Sequence, residues 1–290
     1  MTARGALTAS LLALLLAAPA RAATTPDLAF GAYQRGDYTA ARTEAEKRLA
    51  ADPKDGPALT LLGQLYAEGA GVKPDHKKAV DYFRRAADLG GREAAYLYGA
   101  AVLTGRDAPQ DRAVAEIYLE KAAAKDHPAA LNLLGEIALD NNGVVPDFDK
   151  AVGYFRRAAA LGDVDAQYAL GVLYRLGKGV EKNDAEAAHW FETAADAGHA
   201  AAMVELAIMR FNGAGGARDP AGAVKLLRSA AQKGNAVAEN RLAHLYAEGL
   251  GVEKDLAEAV KWRNRSREAG LVDHTLDDLP GDAAPTPQKR

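Results

Sequence analysis

Residues 65–69 read LYAEG, and the same five letters return at 245–249, 180 positions later. That gap is five periods of 36, and alanine marks every one of them: Ala79, Ala115, Ala151, Ala187, Ala223 and Ala259. A second column runs Ala86, Ala122, Ala158, Ala194 and Ala230, and ends on Ser266. Six units therefore occupy residues 58–273 without insertion or deletion. A fixed period in the range of roughly 20–50 residues specifies a solenoid, because one unit buries its apolar face only by stacking on the next.

Within each unit the punctuation predicts two helices. The first opens near a residue such as Pro57 or Pro128, suited to a first helical turn where an N–H has no partner. It closes at Gly69, Gly105, Asn141, Gly177, Gly213 and Gly249, a column of residues that enter the left-handed region. Asn141 changes the letter and keeps that property. The second helix opens at Asp75, Asp111, Asp147, Asn183, Asp219 and Asp255, all good N-caps, and closes at Gly90, Asp126, Gly162, Gly198, Gly234 and Gly270. Bulk comes from Tyr82, Tyr118, Tyr154, Trp190, Leu226 and Trp262, facing small residues on the first helix at Gly63, Gly99, Gly135, Gly171, Ala207 and Ala243. The expected fold is all-α, a right-handed α-solenoid of about fourteen helices over seven helix pairs.

The unit read from Ala166, Leu170, Gly171, Tyr174, Gly177, Gly179, Val180, Ala187, Trp190, Phe191, Ala194, Ala195 and Gly198 resembles the Sel-1-like repeat. That family is related to the tetratricopeptide repeats. The resemblance implies a helical scaffold that binds proteins or peptides, and it covers all six units. Residues 23–57 look more like one tetratricopeptide repeat, lacking the extra loop. Asp107 and Asn141 depart from the family's loop glycines. Arg263, Ser266 and Arg267 replace the Phe and Ala-Ala of earlier units, a polar face suited to the terminal cap of a stack.

The flanks read differently. Residues 1–22 carry Arg4, an apolar run from Ala6 to Ala20, and Ala20-Arg21-Ala22 as a cleavage pattern, and so predict a secretory signal peptide. The run is shorter than the ~20 apolar residues of a membrane helix, so no membrane span is expected after cleavage. Residues 274–290 hold three prolines and little apolar content, and are expected to be a disordered tail. The alanine-rich, serine-poor composition suggests a bacterial host, hence the periplasm or the exterior.

Composition narrows the chemistry. A net charge of −3 supplies no basic stripe for nucleic acid. The absence of cysteine removes disulfides and thiolate metal sites. Beyond the leader only Ser229 and Ser266 could serve as serine nucleophiles, and both sit at helix-packing positions. The six histidines form no zinc spacing and read as solvated or capping residues. No catalytic residue, cofactor or metal is expected.

A function must then sit where the units differ. Positions equivalent to 60, 64 and 67 share one face of the first helices by their i, i+4, i+7 spacing. In tetratricopeptide repeats that face is concave and contacts ligand. Its fourth and fifth rows here form an aromatic–aliphatic cluster: Tyr168, Val172 and Arg175, then Val204, Ile208 and Phe211. These six either bind a partner, as Tyr and Arg in an apolar patch do at interfaces, or pack between neighbouring helices. The leading expectation is an exported, non-enzymatic adaptor for a protein or peptide partner, acting on an envelope complex or a membrane sensor. An envelope enzyme acting on cell-wall material and a secreted host-interaction factor are the competing classes.

Overall fold

The computed structural model describes residues 27–140 and 145–280; the expected leader, the loop residue Asn141 and residues 281–290 lie outside them. The described chain is helical throughout. A first pair, α1 (Leu28–Gln34) and α2 (Tyr38–Ala51), precedes six units. The first helices of those units are α3 (Gly56–Glu68), α5 (Arg92–Thr104), α7 (Pro128–Leu139), α9 (Val164–Leu176), α11 (Ala200–Asn212) and α13 (Ala236–Glu248). The second helices are α4 (His76–Asp88), α6 (Arg112–Ala123), α8 (Phe148–Ala160), α10 (Asp184–Asp196), α12 (Pro220–Gln232) and α14 (Leu256–Glu268). Each helix packs chiefly on its neighbours in sequence, which makes the molecule an α-solenoid.

The caps stop the helices where the sequence punctuates them, except that α7 ends at Leu139 with Asp140 as an extended C-cap. Asp75, Asp111, Asp147, Asn183, Asp219 and Asp255 each accept a backbone N–H from the first turn of the second helix. First helices end on Gly69, Gly105, Gly177, Gly213 and Gly249 with φ between 65° and 75°. A second loop glycine has a different task. A Cβ on Gly179 would lie 2.5 Å from the Phe148 carbonyl oxygen, and one on Gly215 only 2.2 Å from that of Asp184, so the loop sits directly on the preceding unit. Asp107 occupies the same place in its unit and holds the same left-handed backbone, at φ 63°.

Both alanine columns are buried, each member at most 1% exposed, and Ser266 is equally buried. The bulky partner of the small column is the residue after the expected one. A Cβ on Gly63 would meet Phe83 at 2.4 Å, on Gly135 Phe155 at 2.5 Å, and on Gly171 Phe191 at 2.6 Å. The residues at 82, 118, 154, 190 and 226 are only half-buried, whereas Phe83, Leu119, Phe155, Phe191 and Leu227 fill the space between the helices. One residue turns a side chain by about 100° around a helix, and that decides which of two adjacent large residues enters the core.

The C-terminal end also differs from expectation. Arg263 is 1% exposed rather than facing solvent. Residues 274–280, expected to begin a disordered tail, instead continue the fold through a 3-10 turn, His274–Leu276. Leu276 is buried against the last units, and Arg263 donates to the carbonyls of Leu276 and Leu279 at 3.2 and 3.3 Å. Asp273 starts the turn, accepting from Asn240 Nδ2 at 3.0 Å, His244 Nε2 at 2.9 Å and the Thr275 hydroxyl at 2.6 Å. These bonds, the one from His244 foremost, hold its carboxyl far below the usual range.

Candidate partner-binding site

The varying face of the first helices carries a motif that appears twice, 72 residues apart. Tyr96 stacks on His127 with centroids 4.4 Å apart, and Tyr168 stacks on His199 at 4.7 Å. Both histidines are helix caps. Nδ1 of His127 accepts the Ala130 N–H at 3.2 Å, and Nδ1 of His199 accepts that of Ala202 at 3.1 Å. A ring nitrogen that accepts carries no proton, so each neutral ring keeps its hydrogen on Nε2. There it faces Glu93 at 3.0 Å in one case and Asp165 at 3.4 Å in the other. The bond from His127 holds the Glu93 carboxyl below its ordinary range. Burial pushes the phenols of both tyrosines upward. Between the two motifs, burial raises the carboxyls of Glu136 and Asp163.

The six residues expected to meet a partner fall into two groups. Tyr168, Val172, Arg175 and Val204 belong to the junction between α9 and α11. Val204 is buried in the core, while Tyr168 and Val172 are half-buried and pack against it. Tyr168 also leans on Phe191, with centroids 5.7 Å apart. Arg175 bridges the junction through an ion pair with Glu205, its guanidinium 5.8 Å from the Phe191 ring centre. Ile208 and Phe211 pack against the same core and also line a groove of about 440 Å³ between α11 and α13.

The groove's floor is Ala223 and Leu227 of α12, and its far wall is Val237, Asn240, Arg241, His244 and Leu245 of α13, with Leu250 at one end. The sequence reading caught one wall, Ile208 and Phe211, together with Asn240 and His244 as members of the varying column. It missed Val237, Arg241 and Leu245. Those residues lie in the columns that face back toward the preceding first helix, and reading the 36-residue column through Leu97, Leu133, Ala169, Glu205 and Arg241 would have exposed the change. The two serines are absorbed by helix geometry: Ser229 donates to the Lys225 carbonyl at 3.2 Å and Ser266 to that of Arg263 at 2.9 Å. No group of three or more potential metal ligands occurs among the described residues. Nor is any described helix long and apolar enough to cross a membrane.

Stacked helix pairs with a constant packing register and one variable face define an α-solenoid repeat protein. Residues 56–91, 92–127, 128–163, 164–199, 200–235 and 236–271 each match the Sel1 repeat, and the chain belongs to that family. Sel1 repeat proteins are generally protein-interaction scaffolds. Among solved structures, c5321, a protective antigen of uropathogenic Escherichia coli strains with an SLR fold, is 32% identical with a TM-score of 0.74. That similarity covers 79% of this chain and 49% of the antigen, so the chain spans about half the antigen's length. A Sel1 repeat protein from Oxalobacter formigenes is 26% identical with a TM-score of 0.72, covering 82% of this chain and 94% of that one. No curated protein shows significant sequence similarity to the chain.

Proposed function

We propose that this protein is an exported, non-enzymatic adaptor that holds a protein or peptide partner on the concave face formed by its first helices. Its place of action is the periplasm or the cell exterior, and its partner belongs to an envelope complex or a membrane sensor. The observation that carries the reading is the groove between α11 and α13, whose lining includes Ile208 and Phe211, apolar side chains that pack against the core yet stay half-exposed to the groove. Contiguous apolar surface of this kind commonly marks an interaction site. The leader-like residues 1–22 support export, and the two helix-bonded serines support a role without nucleophilic chemistry.

The test is photo-crosslinking in intact cells from positions 168 and 208, with position 117 as the control. Ile117 lies on α6, a second helix, and is 54% exposed. A dominant adduct from 208 or 168 and none from 117 is the expected result, and fractionation of the same cells reports export. Equal labelling from all three positions, or none from a folded and exported protein, refutes the concave-face assignment.

A further inference from the structure

The 36-residue register lets the junctions between successive first helices be compared position by position. The facing pair is Ala67 and Leu97 at the first junction, Leu103 and Leu133 at the second, and Leu139 and Ala169 at the third. At the fourth it is Arg175 and Glu205, which form an ion pair. At the fifth the pair is Phe211 and Arg241. Each earlier junction is apolar or charge-neutralised, whereas the last sets an arginine against an aromatic ring.

Arg241 is exposed on the wall of the groove, and it has no ion-pair or hydrogen-bond partner among the described residues. A second arginine lies beside the groove's aromatic wall. Arg218 donates from Nε to the Phe211 carbonyl at 2.9 Å, and its guanidinium carbon lies 5.5 Å from the Phe211 ring centre. It too has no carboxylate partner among the described residues. The carboxylate bound to this wall, Asp273, is already engaged by Asn240 and His244. An apolar trough with Arg241 on its wall and Arg218 against the Phe211 ring, neither paired with a carboxylate among the described residues, selects negative charge beside apolar bulk. Guanidinium forms its strongest contacts with carboxylates, through paired N–H donors.

We propose that the α11/α13 groove binds an acidic peptide segment of a partner protein. One large apolar side chain of that segment seats against Phe211 and Leu227, and its neighbouring carboxylates meet Arg241 and Arg218. This rests on the adaptor reading above and gives the chemistry of what the adaptor holds.

The experiment pans a random 12-residue peptide display library against the full chain, in parallel with Arg241→Glu and Phe211→Ala variants. The sequences enriched on the wild-type protein are expected to place Asp or Glu on both sides of a Phe, Leu, Met or Trp. Synthetic copies should bind Arg241→Glu by about tenfold or more weakly, and binding should weaken as salt rises. Arg241 is exposed and unpaired among the described residues, so its reversal leaves the fold intact, which circular dichroism verifies; Phe211→Ala then reports the apolar seat. Enrichment of basic or uncharged peptides, equal affinity for Arg241→Glu, or no enrichment at all overturns the proposal. Crosslinking separates the two levels: a partner still captured from position 208 in the Arg241→Glu protein, at wild-type yield, leaves the adaptor standing and removes the acidic segment.

Discussion

Gly135 and Gly153 lie in the same helix pair, each inside a helix, and replacing either by alanine should improve helix propensity by about 1 kcal/mol. Their surroundings differ. A Cβ on Gly153 meets no atom of the described residues within 4 Å. One on Gly135 would lie 2.5, 2.7 and 2.8 Å from three ring carbons of Phe155, a side chain 1% exposed. Carbon atoms pack at about 3.5–4.0 Å, so α7 and α8 must separate by about 1 Å or the ring must leave its rotamer. Overpacking of this kind costs about 1–3 kcal/mol. Gly153→Ala should therefore stabilise by up to about 1 kcal/mol, and Gly135→Ala should fall about 1–3 kcal/mol below it. The chain supplies its own control: where alanine stands in the small column, at Ala207, the facing residue is Leu227 rather than phenylalanine. Gly135→Ala with Phe155→Leu should recover part of the loss. Urea unfolding followed by circular dichroism, with hydrogen exchange of the α7 and α8 amides to localise the effect, measures all three. Equal stability of the two single variants would refute the packing argument, because both gain the same propensity.

Two further outcomes follow from the ends and seams of the stack. Leu276→Ala removes the buried anchor of the C-terminal turn and should cost about 2 kcal/mol or more locally, read as faster hydrogen exchange through 274–279 and α14 with α3–α8 unchanged. Tyr118 donates to Asp88 at 2.6 Å, and that bond, with burial, pushes its phenol up to about 12. A raised pKa favours the neutral phenol in the folded state, so this stabilisation is whole below the ordinary tyrosine range of about 10 and is lost as pH rises through about 12; several phenols titrate late, Tyr96 and Tyr168 among them, and absorbance at 295 nm should lose its latest step in Tyr118→Phe.

The architecture was legible because caps and turns act locally. An aspartate that can accept from the next turn, or a glycine that tolerates positive φ, means the same thing in every unit, so a repeated letter is a repeated geometry. Packing was legible only to within one residue. Tyr82 and Phe83 are both large, and the choice between them depends on the angular position of Gly63 on another helix, 20 residues away. Arg263 was misread for a longer-range reason. Its charge suggested an exposed end to the stack, yet its acceptors, the Leu276 and Leu279 carbonyls, come from a segment that composition had marked as tail. Two leucines suffice to dock that segment, too few to register in a composition argument.

The site was half-legible for a related reason. A groove between two first helices takes one wall from each, and the columns through 60, 64 and 67 describe only the wall that faces forward. Its opposite wall comes from the columns through 93, 97 and 101 of the following unit. In the early junctions the column through 97 matches its partners in kind, leucine against leucine or alanine, and adds nothing to the stack that packing would not demand. At Arg175 and Glu205 the pairing turns ionic while still cancelling within the chain. At Phe211 and Arg241 no described residue cancels the charge. A rod built from one phrase gains nothing from that mismatch, so the groove it creates is where a second molecule has most to supply.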